Sequence, residues 1–535
     1  MSRYTTPVWP RETQLERLRQ GNERYDLVIV GGGITGAGIL REAARMGLRA
    51  LLVEQRDFAW GTSSRSSKMV HGGLRYLGSG HFGLTRDAVH ERQRLLDEAP
   101  GLVDPLPFVM PHYRKQFPGP GLFGILLSVY DWMAGQRNHE YLKGNRVLDW
   151  VPGLNREGLY GGTRFGDAVT DDARLVLRVL HEGVRDGGEV LNYARAERVL
   201  REGERVRGLE VRDVMTDETF SIQAGLVINA TGAWTDELRS QLGAEKTIRP
   251  LRGSHLVFPY WRLPVGCTVS LFHPDDGRPV FVFPWEGVTV VGTTDLDHQA
   301  GLDDDARITP EEVDYLLAIV SRLFPQSGIG AGDVMATWAG VRPVVGGHSK
   351  DPSKENREHA IWDDQGLVSV AGGKLTTFRL IALDTLEKGL PYLDKLETVR
   401  SSGPVFQHYQ ASQPRPQGIS SRQWQRLQGH YGERLPELMA AGPTEPVAET
   451  DTLWAELVWS AQNESIQHLD DLLLRRTRLG LLLPNGGEAI LDRLQALCEP
   501  VMGWSAARWQ EERQRYLTLW RRAYSLPGAA GGDEA

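Results

Sequence analysis

The sequence predicts an α/β plus α+β protein: a Rossmann-like dinucleotide-binding domain interleaved with an antiparallel-sheet substrate domain, followed by an α-helical C-terminal domain. Three observations predict it. The stretch YDLVIVGGGITGAGILREAARMGLRALLVEQRD, starting at residue 25, runs through an apolar strand, a glycine turn, an Ala-rich helix and a second apolar strand. That order makes a βαβ unit in a buried parallel sheet. Short alternating runs such as RVRGLEVRDV, RPVFVFPW and GVTVVGTTD suit antiparallel strands. Beyond about residue 402, TLWAELVWSAQNESIQHLDDLLLRRTRLG and SAARWQEERQRYLTLWRRAY place apolar residues three and four apart, as amphipathic helices do.

Taken in order, residues 1 to 24 read as a polar leader and 25 to 401 as the two interleaved domains. The apolar GLVINATGAWTDEL at 225 to 238 returns the chain to the first sheet. The Pro- and Gln-rich segment 402 to 418 reads as a linker, 419 to 526 as the helical domain, and PGAAGGDEA at 527 to 535 as a disordered tail. A chain of 535 residues with 41% hydrophobic residues can bury two or three such cores.

A formal net charge of −8 gives no support for a sequence-independent nucleic-acid binder, which needs a basic field. Any anionic ligand must therefore meet a local basic cluster. The only cysteines, Cys267 and Cys498, form no C-x-x-C pair, so a disulfide framework or a zinc site is not expected, and a reducing cytoplasmic compartment fits. No metal is expected elsewhere, because HExxH and carboxylate pairs at ligand spacing are missing. The polar start has no signal-peptide core, and no stretch reaches the roughly 20 apolar residues of a membrane span. The longest apolar run, GLFGILLSVYDWMAG at 121 to 135, reads either as an ordinary buried helix or as an interfacial one. In the second case Arg114 and Lys115 lie near head groups while Leu122, Phe123, Leu126 and Trp132 dip into lipid.

Gly31, Gly33 and Gly36 form G-x-G-x-x-G between the strand and the helix, and Glu54 ends the second strand. Glycines here give a tight turn, close approach to a pyrophosphate and tight helix packing, while the carboxylate accepts from ribose hydroxyls and disfavours NADP. A nicotinamide enzyme continues into further βα repeats. This chain instead enters a loop at 61 to 80 containing SSRSSKMVHGGLRYL, rich in donors for phosphates and for the edge of a large flat ring. FAD is therefore the expected dinucleotide.

At SSRSSKMVHGGLRYL and VGGGITGAGI the sequence closely resembles the FAD-dependent glycerol-3-phosphate dehydrogenases. TDDARLVL at 170 to 177, INATGAWTD at 228 to 236, LRGSHLVFP at 251 to 259, VVGTTD at 290 to 295, WAGVRPV at 338 to 344 and AGGKLTTFR at 371 to 379 are similar to that family's blocks, in its order. The resemblance implies oxidation of sn-glycerol 3-phosphate to dihydroxyacetone phosphate on FAD. It further implies electron transfer to membrane quinone, peripheral attachment to the inner face of the cell membrane, and leaves a homodimer open.

On this basis the expected cofactor contacts beyond the glycine motif are Ser63, Ser64, Ser66, Ser67 and Lys68 as donors, His71 at the flavin, and Gly72 and Gly73 where the backbone runs along it. Ala230, Thr231, Gly232, Gly372, Gly373, Lys374, Leu375 and Thr376 complete the set. The bland alternative for the serines is a surface turn that satisfies its own backbone. Arg75, Tyr76, Arg342 and Lys374 are the expected substrate contacts, because a phosphate dianion calls for charge-assisted donors. Oxidising an alcohol also requires a base, and His255 is the candidate, with Arg342 stabilising charge and Asp295 orienting. Competing readings are an oxidase that uses oxygen, a flavoenzyme acting on amino or hydroxy acids, and a flavin-binding protein without activity.

Overall fold

The computed structural model describes residues 8–21, 23–74, 82–346, 358–401 and 403–528. Among them the strands form two sheets. In the first, five parallel strands run in the spatial order Leu367–Ala371, Thr219–Asn229, Arg24–Val30, Ala50–Val53, Glu189–Leu191. The central strands are buried on both faces, which is why LVIV and ALLV carry no alternation. Helices Ile34–Arg45, Asp172–Arg185 and Phe378–Gly389 cover one face with Ala37, Leu40, Leu177 and Ile381.

The other face is covered by the hairpin of Ala194–Glu202 and Arg205–Asp213 and by an N-terminal helix, Arg11–Arg19. That helix corrects the reading of residues 1 to 24 as a polar leader. Leu15 and Leu18 enter the core, and Arg11 is buried because Asp213 and the Asn192 carbonyl receive it. Its polar composition hid the helix, whose apolar contribution to the core is only Leu15 and Leu18.

The second sheet has ten strands, drawn from 69 to 170 and from 248 to 345. It is antiparallel except where Thr268–Phe272 runs parallel to Val103–Tyr113. Its long strand Ile248–Pro259 pairs with Val288–Gly292 and Ala336–Val345, in a register that sets His255 between Gly292 and Trp338. The two sheets alternate along the chain, so neither domain is contiguous in sequence.

The helical C-terminal region is not a separate body. Leu472, Leu473, Leu482 and Trp520 share one core with Val257, Trp285 and Trp338 of the second sheet. Val405 and Phe406, within the expected linker, are buried against the helices of the first sheet.

Candidate active site

The turn between strand Arg24–Val30 and helix Ile34–Arg45 is built from positions where a side chain cannot fit. Gly31 has φ +111°, and a Cβ there would lie 2.5 Å from the Ala230 carbonyl oxygen. A Cβ on Gly36 would lie 1.9 Å from the Gly31 carbonyl oxygen, so helix and turn touch directly. Gly33 opens the helix, whose first turn holds no acidic residue. Glu54 accepts from the Gly32 amide at 2.6 Å and the Arg56 amide at 2.8 Å, one per oxygen, and each oxygen keeps a lone pair. Burial pushes its carboxyl upward against the pull of those amides.

Gly31, Gly33 and Glu54 line a cleft together with Ser63, Ser66, Thr231, Gly232 and, just after strand Leu367–Ala371, Gly372, Gly373, Lys374 and Leu375. Ala230 lines it as well. Gly232, Gly372 and Gly373 are all left-handed. A backbone cradle at a helix N-terminus, with a carboxylate at ribose distance along the strand, fits FAD.

The hydroxyl-rich loop behaves differently from expectation at two positions. Lys68 does not reach the cleft: it is fully buried, and its Nζ donates to both oxygens of Asp172, at 2.7 and 2.9 Å, and to the Ser64 carbonyl at 2.6 Å. Burial and Arg478 lower its ammonium to about 7, against the opposing pull of Asp172. Ser64 is buried too, with its hydroxyl turned to the Trp60 carbonyl. The ion pair takes Lys68 inward, because a buried ammonium must have acceptors. The loop therefore carries little aliphatic core because it has a polar core of its own.

Ser63 and Ser66 line the cleft. Ser63 Oγ accepts from the Ile34 amide at 3.0 Å, and Ser66 Oγ donates to Asp172 at 2.7 Å. Thr376 donates to the His71 carbonyl, and His71 Nδ1 accepts from the Gly73 amide. Gly72 leaves no room for a side chain: a Cβ would fall 2.2 Å from the Tyr130 hydroxyl, which accepts from the Gly72 amide at 3.0 Å. Arg75 and Tyr76 lie outside the described residues.

On the second sheet, His255 is 1% exposed and stacks on Trp338, with ring centroids 4.7 Å apart. Its Nε2 faces Ser67 Oγ at 2.9 Å. Burial, then Arg342 and Lys68, hold the ring well below its ordinary pKa, so it is neutral at physiological pH. A Cβ on Gly292 would meet the ring at 2.1 Å, and one on Gly253 would meet the Arg342 guanidinium at 2.6 Å. Arg342 donates to Asp295 and to the Thr293 hydroxyl, each at 3.2 Å. The structure thus brings together His255, Arg342 and Asp295, and adds Ser67 to them.

Glu312 escaped the sequence reading. It is 1% exposed and accepts from Ser254 and Thr294 hydroxyls, the Thr309 amide and Arg252, bracing the strand and turn that carry His255 and Asp295. Its sequence signal was a capping box, Thr309 with Glu312, which suggests only a helix start. Asp172 was hidden in the same way beside the N-cap Asp171.

The apolar run forms helix Pro120–Ala134. Phe123 corrects the expected lipid-facing set: it is buried against His112 and Phe165. Leu122 and Trp132 are exposed and Leu126 half-buried, while Ile125 at 64% and Phe117 at 76% join the outward face beside exposed Arg114 and Lys115. Among the described residues no helix is long and apolar enough to cross a membrane.

Residues 26–379 match the family described as FAD dependent oxidoreductase, and 394–509 match the C-terminal domain of alpha-glycerophosphate oxidase. The chain is 34% identical to glycerol-3-phosphate dehydrogenase 2 of Mycobacterium tuberculosis, over 95% of its own length and 90% of the relative's. It is 36% identical to an aerobic glycerol-3-phosphate dehydrogenase of Staphylococcus epidermidis, over 85% and 86%. Among solved structures, the glycerol-3-phosphate dehydrogenase of Bacillus halodurans complexed with FAD superposes with a TM-score of 0.73 at 26% identity, covering 97% of this chain and 98% of that one. The L-alpha-glycerophosphate oxidase of Mycoplasma pneumoniae shares the fold, with a TM-score of 0.57 at 18% identity, covering 72% and 98%.

Proposed function

This chain belongs to the FAD-dependent glycerol-3-phosphate dehydrogenase family, and we propose that it oxidises sn-glycerol 3-phosphate to dihydroxyacetone phosphate and passes the electrons to membrane quinone. Bound FAD supplies the acceptor for the hydride that leaves the alcohol carbon. The observation that carries the residue assignment is the Ser67–His255 contact, which joins the cofactor loop to the polar face of the second sheet.

The chain's own residues account for the proton and the charge. His255 lies too deep to meet an alcohol itself, whereas Ser67 is half-buried. Ser67 takes the alcohol proton as it hands its own to His255 Nε2, and the carbonyl forms as the hydride departs. A neutral imidazole is the form able to receive that proton. Arg342, held by Asp295 and Thr293, faces the developing charge on the substrate oxygen with a fixed guanidinium, which needs no reorganisation during the reaction. Arg75, Tyr76 and Lys374 bind the phosphate end, and Lys374 stands at the cleft after two left-handed glycines.

The exposed face of helix Pro120–Ala134, with Arg114 and Lys115 beside it, supports attachment to the inner surface of the cell membrane, where quinone is dissolved. Replacing Leu122 and Ile125 together by Ser is expected to abolish sedimentation with anionic liposomes while leaving turnover with a soluble dye unchanged. Continued sedimentation refutes the anchor.

The substrate assignment is tested by mixing the oxidised protein anaerobically with sn-glycerol 3-phosphate, lactate or D-alanine and following flavin absorbance. Bleaching by glycerol 3-phosphate alone is expected. Bleaching by D-alanine instead moves the protein to the amino-acid oxidoreductases, and rapid reoxidation by air in preference to a quinone analogue makes it an oxidase.

A further inference from the structure

The helical domain has no part in the chemistry above, yet its stretch 470 to 480, which carries Asp470, Asp471 and three arginines, is buried. Arg475, Arg476 and Arg478 are each at most 2% exposed. A guanidinium taken out of water needs acceptors, so three of them within four residues mark a contact the fold has been built to satisfy. Arg475 and Arg476 meet Asp57, which follows Glu54 by three residues. Arg478 goes elsewhere. Its Nη2 donates to the Ser64 carbonyl at 2.7 Å and to Asp172 Oδ1 at 3.3 Å, and its Nη1 to the Leu474 carbonyl at 2.6 Å. Its backbone is left-handed, φ +63°, a conformation a non-glycine residue keeps only when surrounding contacts hold it there.

Asp172 is the junction. The same carboxylate takes Lys68 Nζ and both the amide and the hydroxyl of Ser66, at 3.0 and 2.7 Å. The Ser64 carbonyl takes Lys68 as well as Arg478. Ser66 accepts through its own carbonyl from Trp338 Nε1 at 3.2 Å, and Trp338 is the ring on which His255 stacks. Ser67 sits between two residues bound to one carboxylate, and its hydroxyl faces His255.

We infer that Arg478 is a positioning residue for the active site: by gripping the Ser64 carbonyl and Asp172 from the helical domain, it fixes the loop at 64 to 68 so that the Ser67 hydroxyl stays on His255 Nε2. The helical domain is then part of the scaffold of the reaction and not only a cover over the second sheet. This inference rests on the roles given above to Ser67 and His255. A second buried interdomain arginine supplies the control. Arg426 directs its hydrogen bonds to Glu286, Glu456 and Thr452, away from the loop.

The test compares Arg478→Lys with Arg426→Lys in the full-length, FAD-loaded protein. Three quantities are read: the melting temperature, amide hydrogen exchange over residues 63 to 68, and the anaerobic bleaching of flavin by sn-glycerol 3-phosphate across concentrations, which separates the limiting rate from the dissociation constant. Lysine keeps the charge of either arginine and loses its fork. Both variants are expected to lose melting temperature. Only Arg478→Lys is expected to raise exchange over 63 to 68 and to cut the limiting rate per bound flavin about 100-fold, the cost of a misplacement of about 1 Å, with the dissociation constant little changed. An unchanged limiting rate in Arg478→Lys, or an equal loss in Arg426→Lys, overturns the inference.

If Arg478→Lys fails to fold or to hold flavin, Lys68→Met takes its place. It removes the other cation shared by Ser64 and Asp172, with the same two changes expected, and an unchanged limiting rate again overturns the inference. Should the wild-type protein not be bleached by glycerol 3-phosphate, the substrate reading has failed, and the hydrogen-exchange comparison still decides whether Arg478 holds the loop.

Discussion

The glycine turn at the cleft and the polar cluster around His255 are built on opposite principles. The first is made of backbone: Gly31, Gly33 and Gly36 lie within six residues, and their work is to be absent, since a Cβ at Gly36 would sit 1.9 Å from a carbonyl oxygen. The second is made of side chains from distant segments: Ser67 from a loop, His255 and Arg342 from neighbouring strands, with Glu312 and Arg478 behind them. A backbone site tolerates no added volume. A side-chain site tolerates small losses of contact in stability but not in function, because proton transfer depends on orientation.

That contrast can be broken in several ways. The largest effect is expected from Gly36→Ala. The added methyl has only backbone to displace, so flavin content after gel filtration should fall to near zero together with a marked loss of melting temperature. Retention of flavin would show that the turn can relax. Next, His255→Asn should keep its flavin and its fold but slow bleaching by glycerol 3-phosphate about 10²–10⁴-fold, the worth of a positioned base. Stopped-flow absorbance checks this, and a rate within a factor of a few of wild type would remove His255 from the proton path.

Glu312→Gln sharpens the comparison at intermediate size. It keeps the shape but weakens four bonds to a buried carboxylate, so a loss of about 1–3 kcal/mol is expected by denaturant titration, with a smaller loss of rate than at His255. The smallest effect concerns pH. Burial pushes the Glu464 carboxyl up, but Arg174, His181 and Arg476 outweigh it and hold it well below the carboxylate range. Its contribution to stability is therefore complete above the unfolded value of 4.5 and is lost as pH falls below it. Melting temperature measured from pH 6 to 3, as assay settings, should fall less steeply in Glu464→Gln than in wild type. Parallel curves would refute the coupling.

Legibility followed the same division. The βαβ unit, the glycine cradle and Glu54 could be read because their chemistry is local: strand, turn and helix are coded by adjacent residues. His255, Arg342 and Asp295 could be nominated by residue type, and the register of the second sheet brings them together. Lys68 was misplaced because a lysine beside serines in a glycine-bearing loop resembles a phosphate donor, and the carboxylate that takes it inward lies 104 residues away. Phe123 was misplaced because the run at 121 to 135 is apolar on nearly every side, so its periodicity does not say which face the core takes. Glu312 and Asp172 carried the local signature of helix starts, which concealed that their oxygens serve distant strands and loops.

By itself the sequence determined the βαβ unit, the dinucleotide turn and the class of chemistry, since these depend on backbone conformation and residue type within short spans. Only the tertiary structure decided which polar groups face the cleft and which hold one another beneath it. Burial makes an unpaired charge costly, and the partner that satisfies it is chosen by packing and not by proximity along the chain.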